Sequence, residues 1–506
     1  MSRNYIERIL RARVYDVAIE SALEPAIRLS ARTENMVLLK REDQQQVFSF
    51  KLRGAYNKIY QLSPEQREVG IVAASAGNHA QGVALAGQRL GAATTIVMPV
   101  TTPGIKVETV RRLGGKAVLQ GDSYDEAYAH ALQLADAKGL TFVHPFDDPD
   151  VIAGQGTIGM EILRQHADPI DAVFVPVGGG GLISGVAAYI KHVRPEIKVI
   201  GVEPEDAPTL ERSMASGRRV LLPRVGLFAD GVAVRQIGKE TFRVARKLVD
   251  EVILVTTDET CAAIKDVFDD TRSVPEPAGA LAIAGIKKYI AREKAKGQTL
   301  VGILSGANVN FDRLRHIAER AEVGEQREAL FAVRIPEKPG SFLAFCRVLG
   351  KRSITEFNYR FSDEANAQVF CGVELRNGNA ERVELRGQLI AKGFEVVDLT
   401  ENETAKLHIR YMVGGHAPQA KHEKLFRFEF PERPGALLDF LKGLSRGWNI
   451  SLFHYRNHGA AYGRVLVGLQ LDREAAKSLR VYMEENGYAY SEESENIAYR
   501  LFAKGG

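Results

Sequence analysis

Cysteine is scarce in this 506-residue chain. There are three, Cys261, Cys346 and Cys371, widely spaced and with no CxxC pair. That spacing excludes a disulfide framework, reads as core or surface thiols, and fits a reducing compartment. The histidines, His79, His144 and His408 among them, show no ligand spacing, so no metal is expected. Charge of one sign is also lacking. The 67 basic and 63 acidic residues leave a net +4, with no Lys/Arg-rich run and no basic stretch interleaved with aromatics. Nucleic acid is not an expected partner. No run of about 18 apolar residues exists to span a membrane. The start, MSRNYIERIL, carries Glu7 and no apolar signal core, so a cytoplasmic protein is expected. There is neither a Walker A loop nor a GxGxxG fingerprint, which makes ATP and NAD poor fits.

The remaining composition, 45% hydrophobic and 26% charged, is that of an ordinary globular protein. The length suggests about three domains. Through residue 320, short β-branched runs alternate with Ala/Leu-rich helical stretches. Examples are GIVAAS (70–75), AQGVALAGQRLG (80–91), TTIVMP (94–99), DAVFVPV (171–177), LISGVAAYIKHV (182–193) and TLVGILSG (299–306). Apolar strands joined by helices predict an α/β architecture with a largely parallel sheet. The charged stretch 313–328 reads as a helix running into a linker. Two similar blocks follow: LFAVRIPEKPGSFLAFCRVLG (330–350) with ITEFNYR (354–360), and LFRFEFPERPGALLDFLKGL (425–444) with ISLFHYR (450–456). Each continues strand, helix, strand, so each predicts a ferredoxin-like β-α-β-β-α-β module. The expected organisation is 1–320, a module at 321–400, a linker at 401–423 and a second module at 424–498.

Four motifs in the first part carry chemistry. Phe50-Lys51-Leu52-Arg53-Gly54-Ala55 sets a lysine just ahead of an apolar helical face. Burial would lower its pKa and make the amine a usable base and nucleophile, although a lone lysine of this kind is more often a snorkelling surface residue. Ser75-Ala76-Gly77-Asn78-His79 lies between strand and helix, where exposed backbone N–H groups suit a carboxylate; a capped Asn/Gly turn is the plainer explanation. Gly178-Gly179-Gly180-Gly181-Leu182 offers N–H donors and a helix dipole to a phosphate. Four glycines are hard to justify on structural grounds alone, beyond a flexible turn. Leu304-Ser305-Gly306-Ala307-Asn308 ends a strand, where ligands bind in parallel sheets, or simply turns the chain.

In this order, SFKLRGA, SAGNHAQG, VPVGGGGL and LSGAN resemble the fold type II, tryptophan-synthase-β-like enzymes that use pyridoxal 5′-phosphate (PLP). Within them the chain is similar to the biosynthetic threonine dehydratases; RVGLFADGVAV (224–234), VPEPAGALA (274–282), GANVNFDRLR (306–315) and the paired C-terminal modules match as well. The resemblance implies that Lys51 holds PLP as a Schiff base and removes the substrate's α-proton. It implies that Phe50 shapes the ring pocket and Asn78 bonds the phenolic oxygen. Gly178, Gly179, Gly180, Gly181 and the Leu182 amide would cradle the phosphate, and Ser305 would meet the pyridine nitrogen. Ser75, Gly77 and His79 would line the carboxylate site, and Glu276 would approach the ring. A neutral serine at the ring nitrogen favours elimination over transamination or racemisation. The implied reaction turns L-threonine, ahead of serine, into 2-oxobutanoate and ammonia at the head of isoleucine biosynthesis.

The C-terminal pair resembles ACT domains, which bind amino acids. Feedback inhibition by isoleucine, opposed by valine, is implied, as is a homotetramer. Pro339-Gly340 and Pro434-Gly435 precede helices in the two repeats, and Tyr359 and Tyr455 fall at equivalent positions late in the following strand. They resemble ligand-facing positions; modules used only for assembly are the alternative. Two further readings stay open: another enzyme of the same fold, such as a threonine synthase, a cysteine synthase or a serine racemase, and a non-catalytic amino-acid sensor.

Overall fold

The computed structural model describes residues 2–336, 341–350, 352, 354–361, 366–411, 422–431, 448–456, 462–485 and 489–502. The chain divides into two compact units, Met1–Ala321 and Glu322–Gly506.

The first unit is built on two sheets. The larger has the strand order Leu23–Pro25, Met36–Arg41, Thr299–Leu304, Ala172–Pro176, Lys198–Pro204, Glu251–Val255. All neighbours are parallel except the first pair. Its strands are apolar on both faces because helices cover both. Ala172, Phe174, Leu300 and Leu304 enter one core, and the alternate residues Val173, Val175, Val301 and Ile303 enter another, as the two-residue period of a strand requires. The smaller sheet is wholly parallel, in the order Lys116–Leu119, Thr94–Met98, Ile71–Ala74, Thr141–Phe142. The helix Lys51–Tyr60 packs Leu52, Ala55, Tyr56 and Ile59 into the core beneath the smaller sheet, with Ile71, Ala73 and Ile96. Three of the four motifs leave the carboxyl ends of parallel strands: Ser75 follows Ala74, Gly178 follows Pro176 by two residues, and Ser305 follows Leu304.

The second unit holds two antiparallel sheets of the same topology. One has the order Ile354–Phe361, Asn366–Glu374, Glu328–Pro336, Glu395–Asp398; the other has Asn449–Arg456, Tyr462–Gln470, Glu423–Pro431, Ala489–Glu492. Both are irregular at equivalent points, between Ile354 and Glu356 and between Ile450 and Leu452. The helices Ser341–Leu349 and Gly378–Ala391 belong to the first module and Arg473–Glu485 to the second. The Pro339-Gly340 and Pro434-Gly435 turns lie outside the described residues.

The sequence suggests a connector from 401 onward, but the repeat continues there. Asn402 caps the short helix Glu403–Leu407 by accepting from the Ala405 N–H at 2.9 Å. Asn496 accepts from the Ala498 N–H at 3.0 Å beside the helix Ile497–Phe502. Thr400 accepts from the Leu330 N–H, and Ser494 from the Leu425 N–H, each at 3.0 Å. The two caps meet: Asn402 Nδ2 donates to Asn496 Oδ1 at 3.3 Å, and Asn496 Nδ2 to Thr404 at 3.1 Å. Residues Thr404–Leu407 are buried because they cover the otherwise open face of the first sheet, where Ala405, Ile409 and Ala498 pack on Leu330 and Phe370. The equivalence extends to paired carboxylates. Glu328 accepts from Thr355 and, at 3.1 Å, from Arg410; Glu423 accepts from Ser451 and Tyr499.

Candidate active site

Lys51 is the first residue of its helix, with Phe50 ahead of it in helical geometry. The loop carrying them is strung along the end of the strand Thr299–Leu304. The Phe50 N–H donates to Ser305 O at 3.2 Å and the Ala307 N–H to Phe48 O at 2.9 Å, and Ser49 bridges Gly306. Asn308 donates to Val47 O at 2.8 Å and to Asn78 Oδ1 at 2.7 Å, and Asn78 Nδ2 donates to Glu276 Oε1 at 2.6 Å. The Glu276 N–H returns to Gly306 O at 3.1 Å. One continuous chain of hydrogen bonds thus joins Lys51's loop, the Ser305 strand end, the Asn78 helix start and Glu276. Asn78 keeps one amide proton for a ligand.

Among the described residues the Lys51 amine has one weak hydrogen-bond partner, Pro145 O at 3.4 Å, and it stands 5.1 Å from the Phe50 ring centre. Burial pulls its pKa down to about 8, with Glu276 opposing. Burial also raises Glu276, to about 7, helped by Asp230. The same cause lowers His79 to about 3, with Lys51 adding to it, so the imidazole is neutral. His79 Nε2 sits 2.9 Å from Val143 O, which commits the ring to that carbonyl as donor and leaves the backbone amide to face a ligand. Ser75 Oγ accepts from the Gly77 N–H at 3.2 Å. A Cβ on Gly77 would meet nothing within 4 Å, so the front of the helix Asn78–Leu90, whose first-turn N–H groups have no partner within the helix, is open on the protein side. Ser305 is buried, its hydroxyl 3.4 Å from Ala278 O, a bond weak enough to give up.

The four glycines have a packing reason that the sequence hides. A Cβ on Gly179 would lie 2.2 Å from the Phe146 ring, and one on Gly178 2.9 Å from Val232 Cα. Gly180 has φ +90°, a left-handed conformation that glycine adopts without strain. Phe146 and Val232 therefore wall a loop of bare backbone that opens the helix Gly181–Val193. Thr241 Oγ1 holds it by donating to Gly179 O at 2.7 Å. Val232 belongs to the 224–234 motif, whose Asp230 pairs with Lys106 at 3.1 Å and Arg313 at 3.5 Å.

The residue set suits PLP: an amine kept partly neutral by burial for an aldehyde, a helix start of glycine amides for a phosphate, and a buried neutral hydroxyl for a ring nitrogen. The sequence pattern gives Asn308, Phe146 and Arg53 no role of their own. Asn308 and Arg53 lie within recognised motifs, whereas nothing in the pattern marks Phe146. Among the described residues, no group of three or more His, Cys, Asp or Glu could hold a metal ion, and no helix is long and apolar enough to cross a membrane. Tyr359 and Tyr455 lie in the second unit on edge strands, at the matching register positions opposite Val369 and Val465.

Residues 16–306 match the family described as pyridoxal-phosphate dependent enzyme, and residues 319–409 and 414–503 each match the C-terminal regulatory domain of threonine dehydratase. The biosynthetic L-threonine dehydratase of Burkholderia multivorans is 58% identical over 504 residues, covering 99% of both chains. The solved structure of processed threonine deaminase isoform 2 from Solanum lycopersicum is 53% identical with a TM-score of 0.62, covering 63% of this chain and 93% of that one. Maize serine racemase shares the fold at 33% identity and TM-score 0.58, covering 62% of this chain and 95% of its own. With its fold type II catalytic unit, its PLP cofactor and its pair of regulatory modules, the chain belongs to the biosynthetic threonine dehydratase family.

Proposed function

We infer that this chain converts L-threonine to 2-oxobutanoate and ammonia, the first step towards isoleucine. The observation that carries the reading is the hydrogen-bonded chain that brings Lys51, Asn78, Glu276 and Ser305 together at the carboxyl ends of parallel strands. Bound PLP supplies an electron sink for the negative charge that develops at the substrate α-carbon. Gly178, Gly179, Gly180, Gly181 and the Leu182 amide would hold its phosphate, and Ser305 its ring nitrogen. Asn78 would offer its spare amide proton to the phenolic oxygen, and Phe50 would flank the ring. Ser75, Gly77 and the His79 amide would orient the substrate carboxylate at a helix start. The Lys51 amine, half neutral near pH 8, takes the α-proton. Glu276 is able to keep a proton at neutral pH and so to spare the site a second negative charge beside Asp230. Loss of the β-hydroxyl as water, followed by hydrolysis of the released product, gives the 2-oxo acid and ammonia.

A racemase has the same fold in its favour, and the regulatory unit speaks for the dehydratase. Isoleucine would inhibit through the second unit and valine oppose it, with Tyr359 and Tyr455 as contact positions. A homotetramer in the cytoplasm completes the reading; the full-length likeness to a bacterial dehydratase supports it. The test is an absorbance spectrum before and after L-threonine, beside Lys51→Ala. A visible-edge band lost in the variant, with 2-oxo acid formed by wild type alone, is expected. Absence of the band after added PLP would leave the sensor reading standing. Loss of isoleucine inhibition in Tyr359→Ala or Tyr455→Ala, with catalysis kept, would support the effector sites, and unchanged inhibition in both would refute them.

A further inference from the structure

Four charged side chains are completely buried next to the site without touching it: Lys40, Glu42, Arg53 and Glu161. Arg53 donates to Glu42 at 2.7 and 2.8 Å, to Glu161 at 2.6 and 3.0 Å, to Thr157 Oγ1 at 3.1 Å and to Ile19 O at 3.1 Å. Lys40 meets Glu161 and Ser21 O, each at 2.6 Å, and Gln165 at 3.0 Å. Two cations face two carboxylates, so the net charge is zero and the guanidinium's five protons are engaged. Burial alone would raise Glu161, but Arg53 and Lys40 outweigh it and keep the carboxylate charged.

Stability does not call for ions here, because apolar residues of similar volume are often at least as stable as a buried ion pair. What the cluster supplies is direction. Glu42 precedes the loop that carries Lys51, and Arg53 follows Lys51 by two residues, so their bidentate bond closes that loop at its base. Near Lys51 the helix backbone approaches its neighbours closely: a Cβ on Gly82 would be 3.0 Å from Leu52 N, and one on Gly154 2.7 Å from Arg53 O. Further along, Asn57 accepts from the Arg13 N–H at 2.9 Å and donates to Asp150 O at 2.7 Å, and Lys58 lies 2.8 Å from Asp148. Those polar ties lie more than one helical turn beyond Lys51. The guanidinium fork, aimed at two carboxylates on different elements, supplies direction within Lys51's own turn.

We propose that Arg53, held between Glu42 and Glu161, is a positioning residue that fixes the direction in which Lys51 presents its amine. The proposal rests on Lys51 being the cofactor-bearing residue.

The test uses the full chain stripped of cofactor and two ligands. Pyridoxine 5′-phosphate has the ring and phosphate but no aldehyde, so its affinity reports the glycine cradle. The rate of the absorbance change on adding PLP reports Lys51. For Arg53→Lys and Glu161→Gln we expect pyridoxine 5′-phosphate affinity within about twofold of wild type and bond formation slowed about ten- to a hundredfold, the penalty of a small misplacement. Tyr15→Phe, which removes only a 2.8 Å bond to Glu161, should slow it less and in the same direction; it keeps the test open if the other variants do not fold. Unchanged rates overturn the proposal, as does a parallel loss of both readouts with a lowered unfolding temperature, which would make the cluster merely structural. Lys51→Ala separates the two readings: if it still forms the bond, the assignment of Lys51 itself falls.

Discussion

Replacing Gly179 by alanine sets a methyl group against an aromatic ring. The new Cβ would lie 2.2 Å from two carbons of the Phe146 ring and 2.4 Å from a third. Carbon atoms rest about 3.5–4.0 Å apart, so ring and loop must separate by more than about 1 Å. Phe146 has little room to yield: its N–H donates to His144 Nδ1 at 3.2 Å, and the Asp147 N–H to the same nitrogen at 2.8 Å. The Asp147 carboxylate in turn accepts from the N–H groups of Lys239 and Glu240 at 2.8 Å each. The loop gives way instead, and overpacking of this kind costs about 1–3 kcal/mol. If that cost falls on the conformation that receives the phosphate, PLP affinity drops about 5- to 150-fold. Absorbance titration of the stripped protein measures it. Phe146→Ala in the same chain should restore affinity, with a coupling of about 1 kcal/mol or more in the double-mutant cycle. Effects that add to within about 0.5 kcal/mol would refute the steric origin, and with it the packing reason for the glycines.

Gly77→Ala is the contrasting case. Its Cβ meets nothing in the protein, so the unfolding temperature and PLP affinity should stay near wild type while KM for threonine rises; an unchanged KM would remove this helix start from the substrate site. Labelling of the Lys51 amine in the stripped protein should follow a titration near pH 8 rather than 10.5, read as labelling rate against pH by peptide mass analysis. Glu276 predicts a stability trend. Its pKa, raised to about 7 from 4.5, makes the folded chain hold a proton that the unfolded chain has released, so stability falls as pH rises across that window. Glu276→Gln lacks this loss, and the gap between the two proteins' unfolding temperatures should change between pH 4.5 and 7; a constant gap would contradict the burial argument. Breaking the buried cluster by Glu161→Ala leaves two cations with one carboxylate and should cost about 3–5 kcal/mol in denaturant unfolding.

What the sequence displayed was local. The apolar runs around 172–176 and 299–304 announce buried parallel strands, and the glycine, serine and asparagine that follow each strand mark ligand-binding turns. Matching blocks at 330 and 425 announce the repeated modules. What stayed hidden depends on residues that meet only after folding. Phe146 sits in no pattern, yet it forces glycine at 179. Lys40, Glu42, Arg53 and Glu161 come from a strand, a turn and two helices, so their balance of charge is invisible along the chain. The five residues Glu403–Leu407 are too few for a helical period to show, and they fall in the GGHAP-containing spacer between the two blocks, which reads as a connector although they are mostly buried.

The paired caps Asn402 and Asn496 give the second unit the character of a dimer whose halves share one polypeptide. An association within a chain cannot be diluted away, because each half sees its partner at a fixed effective concentration. The interface between the modules is therefore set by sequence and effector alone, whatever the amount of enzyme present. Covalent joining also releases the halves from having to be identical. Equivalent carboxylates already meet a guanidinium in one, Arg410, and a phenol in the other, Tyr499, so the same position holds an ion pair in one module and a neutral partner in the other.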